Sequence, residues 1–142
     1  MKNWDLRILA TDISITALNQ AAEGLYPAEK LKNLPPDLRS RYFTHRGADR
    51  EVKPPVKNLV AFRRLNLMRE HYPFKGTFDV VFCRNVMIYF DRESRNSLVG
   101  KIHSVVPPGG YFFIGHTETL QDAAEQFQFV ASAVYRRTGR PC

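Results

Sequence analysis

Residues 78–91, Phe-Asp-Val-Val-Phe-Cys-Arg-Asn-Val-Met-Ile-Tyr-Phe-Asp, constrain the fold of this chain more than any other stretch. From Phe78 to Cys83 the run is apolar apart from Asp79, which predicts a strand buried on both faces, as in a parallel sheet. Polarity arrives abruptly with Arg84 and Asn85, where that strand should end. In open α/β sheets ligands bind beyond the carboxyl ends of the strands, so site residues are expected at this junction. The alternative is that Arg84 and Asn85 only close the strand in a polar turn.

The flanking chain alternates strand and helix patterns. Leu6 to Ala10 reads as a strand, and Ser14 or Thr16 can cap a helix that runs through Leu18 and Ala21 and stops near Gly24. After the breaks at Pro27 and Pro35-Pro36, a short helix is predicted from Asp37 to Tyr42, capped by Asp37. Phe43 to Asn58 loses periodicity, and Leu59 to Leu65 alternates like a strand. Leu98, Val99, Ile102, Val105 and Val106 form one apolar helical stripe, ended by Pro107-Pro108-Gly109-Gly110. Tyr111 to Gly115 predicts a short strand and Phe127 to Arg137 a longer one. This order predicts an α/β fold, a Rossmann-like sheet with an antiparallel edge.

Composition narrows the class. With 142 residues, 44% hydrophobic and 25% charged, one globular domain is expected. No apolar run approaches the ~18 residues of a membrane span, and the N-terminus lacks a secretory apolar core. Cys83 and Cys142 form neither a disulfide framework nor a metal spacing, which predicts the cytoplasm. His116 and Glu118 lack a third ligand at metal spacing, so they are expected to be polar loop groups, and no metal is expected. The net charge of +7 sits between Arg39 and Arg69, where nine Lys or Arg face two acidic residues. Such a stretch fits an acidic partner or a solvated loop, and the lack of aromatic-basic interleaving argues against nucleic acid. Asp12 is placed either to accept ribose hydroxyls at a strand end or to meet free N–H groups where a helix begins.

Three segments together resemble one family. Phe78 to Asp91 looks like the central signature of the CheR-type chemoreceptor glutamate methyltransferases. Gly109 to Leu120 is similar to that family's late hairpin segment, and Ile8 to Ser14 to a segment nearer its start. The order and spacing match, and the resemblance covers nearly the whole chain. It implies a class I methyltransferase sheet with an antiparallel closing hairpin, spanning 1–142, with a small antiparallel β insert at about 42–65. The implied cofactor is S-adenosyl-L-methionine, with S-adenosyl-L-homocysteine as product. The implied partners are chemoreceptor cytoplasmic helices carrying methyl-accepting glutamates. Asp12 is then expected at the ribose, Asn66 at the adenine, Leu67 against its ring, and Arg84 and Asn85 lining the cofactor pocket. Tyr89, with Arg84, is expected at the reacting groups. Core packing is the other reading of Leu67, and a half-buried surface aromatic the other reading of Tyr89.

Within that resemblance the chain is a C-terminal portion. No Gly-rich loop precedes Leu6, and no G-x-G-x-x-G occurs anywhere. The first βα unit and an N-terminal helical domain are therefore expected to be missing. Alone, the 142 residues are expected to be inactive and, through an unpaired sheet edge, oligomeric. A non-catalytic adenosine- or receptor-binding module is the alternative function. Arg46, Arg50, Lys53 and Lys57 are expected to form an auxiliary docking face, whereas a short loop with one glycine argues against capture of a receptor tail peptide.

Overall fold

The computed structural model describes residues 4–120 and 125–139, so Cys142 lies outside the described residues. The chain divides into two compact units, Met1–Asn66 and Leu67–Cys142.

In the first unit, β1 (Ile8–Asp12) leads into α1 (Ile15–Glu23) through Ser14, whose Oγ accepts the Ala17 N–H at 3.2 Å. Gly24 ends the helix at a left-handed φ of 65°, as its lack of a side chain allows. The chain continues through β2 (Leu25–Pro27), a 3₁₀ turn (Ala28–Leu31), α2 (Pro36–Tyr42), β3 (Phe43–Arg46), β4 (Asp49–Val52), α3 (Pro54–Lys57) and β5 (Val60–Arg64). β1 and β5 pair in parallel, from Ile8 opposite Val60 to Asp12 opposite Arg64. A separate antiparallel sheet has the order β2-β4-β3.

Several expectations change in this unit. α2 has Pro35 at its cap position and no side-chain cap, while Asp37 sits in the first turn, where its charge favours the helix dipole. Residues 43–58, aperiodic in sequence, form a hairpin turned at Gly47 (φ 61°) and then α3. Neither hairpin strand has a fully buried face, so no alternation was needed to build them. The antiparallel sheet recruits Leu25–Pro27, and Val60–Arg64 belongs to the parallel pair instead, which differs from an insert at about 42–65.

The basic stretch is largely tied up within the unit. Glu51 receives Arg46 Nε at 2.6 Å and Lys57 Nζ at 3.3 Å, and the hydrogen bond from Arg46 leads in holding its carboxyl below the usual range. Lys57 Nζ also donates to Glu23 O at 2.7 Å, at the end of α1, and Lys53 Nζ to Ser40 O at 2.8 Å. Arg50 donates to Asp49 O at 3.0 Å. The four cations expected to form a docking face thus bond their own unit.

The second unit comprises β6 (Val80–Cys83), a 3₁₀ turn (Met87–Tyr89), α4 (Arg92–Val105), β7 (Tyr111–Ile114), β8 (Phe127–Ala131) and β9 (Val134–Arg137). Its sheet has the order β6-β7-β9-β8, with β6 and β7 parallel and the other pairs antiparallel. Asp91 caps α4, its Oδ1 accepting the Ser94 N–H at 2.8 Å. Leu98, Val99 and Ile102 on one face of α4, with Val106 just beyond it, pack with Phe112 and Phe127 from the sheet into one core. Val105 is only half-buried.

Two strands depart from expectation here. β6 starts at Val80 and is not buried on both faces: Phe82 is 67% exposed and Val80 45%. It is a terminal strand whose Val81 and Cys83 face the core, while Phe82 stacks on its cross-strand partner Phe113 at 4.6 Å. Residues 127–137 form a hairpin rather than one strand, reversing at Ser132–Ala133 with Ala133 at φ 61°. Alanine gives no turn signal, so the reversal was invisible in the pattern.

Candidate active site

The carboxyl end of β6 runs directly into a loop, Arg84 to Asp91. Arg84, Asn85, Ile88 and Tyr89 are exposed, Tyr89 to 79%, whereas Met87 is 2% exposed and anchors the loop in the core. Asn85 turns the chain with a φ of 59°, a conformation that asparagine tolerates better than most residues. The loop is held from the neighbouring strand's end by Glu118, which follows β7. Its Oε1 accepts the Ile88 N–H at 3.2 Å. Its Oε2 accepts the N–H of Asn85 at 3.2 Å and of Gly115 at 2.5 Å. Gly115 makes the room: a Cβ there would lie 2.6 Å from Asn85 Oδ1 and 2.7 Å from Glu118 Oε2.

Electrostatics follow from this packing. Burial first, and the nearby Glu118 charge second, push the Cys83 thiol up to about 11. A thiol so placed stays protonated and is a packing group rather than a nucleophile. Burial, followed by Cys83, pushes Tyr72 up to about 12. The Tyr72 hydroxyl donates to Leu67 O at 3.1 Å, and Lys101 Nζ donates to the same oxygen at 2.7 Å and to Arg69 O at 3.0 Å.

Of the six expected site residues, Arg84, Asn85 and Tyr89 share the loop after β6. Leu67 is half-buried against the core of the same unit. Asp12 and Asn66 belong to the first unit and are exposed. Asp12 Oδ1 accepts the Ser14 N–H at 2.8 Å, so one of its oxygens serves the start of α1. Glu118 is the residue that sequence reasoning underrated. Its signal was Gly115 three positions earlier, a spacing that folds a carboxylate back onto a glycine amide. Among the described residues no group of three or more His, Cys, Asp or Glu could hold a metal ion, and no helix is long and apolar enough to cross a membrane.

Parallel strands extended by an antiparallel hairpin, with polar loops at the strands' carboxyl ends, define a class I methyltransferase fold. The crystal structure of the N-methyltransferase NodS from Bradyrhizobium japonicum WM9 matches it with a TM-score of 0.52, over 93% of this chain and 74% of that one. At 11% sequence identity that likeness concerns the fold alone. The family model "CheR methyltransferase, SAM binding domain" matches residues 1–136, and the chain belongs to that family. A chemotaxis protein methyltransferase of Borreliella burgdorferi is 43% identical over 136 residues, 95% of this chain and 48% of that protein. The protein of that name from Escherichia coli strain K12 is 37% identical over 134 residues, 91% of this chain and 46% of that protein. The chain therefore spans about half the length of these curated relatives.

Proposed function

We propose that the full-length protein is an S-adenosyl-L-methionine-dependent O-methyltransferase that forms glutamate methyl esters on the cytoplasmic helices of chemoreceptors. It works in the cytoplasm and uses no metal. The observation that carries this reading is the family match over residues 1–136, supported by relatives named chemotaxis protein methyltransferases. The residues present suit the cofactor: exposed Asp12, at a strand's carboxyl end, is an acceptor for ribose hydroxyls, and the exposed Asn66 amide can meet the base. Leu67 would pack beside the ring, and Arg84 and Asn85 would line the pocket.

When bound, the cofactor supplies a methyl group on a sulfonium. A glutamate acceptor is already an anion at neutral pH, so this chain has no proton to remove. Tyr89, whose ring is exposed, donates its hydroxyl to one carboxylate oxygen and leaves the other to attack. Opposite charges are lost together, so exclusion of water favours the reaction. Orientation contributes most, at best on the order of 7–11 kcal/mol.

The test is transfer of labelled methyl groups to receptor glutamates by the full-length gene product. Tyr89→Phe should lower turnover with little change in the Michaelis constant for cofactor. Asp12→Ala should weaken S-adenosyl-L-homocysteine binding by roughly 1–3 kcal/mol in calorimetry. An effect of Tyr89→Phe confined to the cofactor Michaelis constant removes Tyr89 from the reaction, and unchanged affinity removes Asp12 from the site. A wild-type protein that transfers no label overturns the function.

A further inference from the structure

We propose that Glu118 is a positioning residue: its carboxylate sets the shape of the loop from Arg84 to Tyr89 and, through the backbone, the aim of the Tyr89 hydroxyl. The consequence for transfer rests on the methyltransferase reading above, whereas the hold on the loop does not.

Besides Met87 and the half-buried Val86, which pack in the core, and the turn's own bonds from Tyr89 N–H to Val86 O and Phe90 N–H to Met87 O, few contacts hold this loop. Arg84, Asn85, Ile88 and Tyr89 are exposed, and Met87 is its one fully buried side chain. The 3₁₀ turn Met87–Tyr89 begins at Val86, which offers no side-chain cap. The Ile88 N–H at the head of that turn is met by Glu118 Oε1, from a residue 30 positions away. The other oxygen takes Asn85, which stands in the left-handed conformation, and Gly115, at the end of β7. One carboxylate therefore joins three amides from two strand ends. Acceptors carrying a full charge make the stronger hydrogen bonds, and a neutral amide side chain cannot replace this one. Glutamine would present one oxygen and one NH₂, and the NH₂ would face a backbone donor.

The spacing on the β7 side is built for the same contact. A methyl on Gly115 would lie 2.7 Å from Glu118 Oε2 and 3.1 Å from the Asn85 nitrogen. Tyr89, 79% exposed, has little packing of its own. Its direction follows from the backbone of the turn that Glu118 pins, so an error of a fraction of an ångström at Ile88 is passed to the phenol. Where reaction depends on alignment, such errors reduce turnover and leave binding of the nucleoside largely alone.

The experiment combines amide hydrogen exchange with steady-state kinetics on the full-length gene product. In the wild type, the Asn85 and Ile88 amides should be protected despite the exposure of both residues. Glu118→Gln should speed exchange at Asn85, Ile88 and Gly115 by about tenfold or more, with the Phe112 and Tyr135 amides unchanged. The same variant should lower kcat by about tenfold while the Michaelis constant for S-adenosyl-L-methionine moves less than about twofold. Wild-type Asn85 and Ile88 amides exchanging like an unstructured loop would overturn the proposal, without need of any variant. So would a variant with the altered exchange pattern but undiminished kcat. An inactive wild-type protein refutes the methyltransferase reading instead, and the exchange pattern then decides whether Glu118 holds the loop.

Discussion

The same substitution, glycine to alanine, should move stability in opposite directions at Gly110 and Gly100. Gly110 is buried just before β7, and the atoms nearest to a Cβ there belong to two backbone carbonyls and the core side chain of Val106. Its N–H donates to Pro107 O at 2.8 Å, and its carbonyl accepts the Arg137 N–H at 2.8 Å. A methyl there would lie 2.7 Å from Val106 Cγ1 and 3.0 Å from the carbonyl oxygens of both Asp79 and Pro107. Val106 is 0% exposed and cannot swing away, and Asp79 O is the acceptor for Tyr111 N–H that starts the β6–β7 ladder. Overpacking of this kind costs about 1–3 kcal/mol. Gly100 lies in mid-α4 and a Cβ there meets nothing within 4 Å. Alanine at such a helical position should therefore gain about 0.8–1 kcal/mol. With a urea slope of about 1–3 kcal/mol per molar, the two midpoints should separate by roughly 0.6–4 M. Urea titrations followed by circular dichroism measure this. A Gly110→Ala midpoint equal to the wild type, or both variants shifting in one direction, would refute the steric reasoning.

Two further outcomes follow from polar contacts in the second unit. Arg137 Nε donates to His103 Nε2 at 3.1 Å, which requires a neutral imidazole nitrogen, and burial, then the Arg137 charge, lower the His103 pKa. The unfolded chain then takes up a proton more readily than the native one, so this stability is complete above a pH of about 6.5 and is lost as pH falls through that value toward the lower native one. Thermal melts between about pH 8 and 5 should show the loss in wild type and a smaller one in His103→Gln. Lys101→Met deletes the donor to Leu67 O and Arg69 O and should cost about 1–3 kcal/mol, whereas Lys75→Met, at an exposed position, should leave the urea midpoint in place.

Much of the architecture was legible because periodicity and punctuation agree. Ser14 and Gly24 bracket α1, the stripe at Leu98, Val99 and Ile102 turns inward, and Pro107 to Gly110 stop α4. What escaped notice has a physical reason in each case. A left-handed alanine at 133 gives no turn signal. Phe82 reads as core by composition, but its exposure depends on what lies beside a terminal strand. The hairpin at 43–52 has no buried face to impose alternation. At the site, Arg84 and Asn85 were singled out by a polar break after an apolar strand, and Tyr89 only by the resemblance to the family. Glu118 was passed over because its role depends on amides 30 and 33 positions earlier, a relation that only the fold creates.

The parallel pairing of β1 with β5 carries a kinetic consequence. Ile8 must find Val60, and a bare chain would have to close an excursion of roughly 50 residues to do so. Most of that excursion is occupied by the antiparallel sheet, which joins Leu25–Pro27 to Glu51–Asp49 and is closed by the tight turn at Gly47. Once that sheet has formed, roughly 25 residues of chain remain to be closed, and the entropy cost of closure falls by about 0.6 kcal/mol. That corresponds to a rate roughly threefold higher for the parallel contact. The sheet acts as a splint: local, quickly made pairings shorten the search for the slow, distant one.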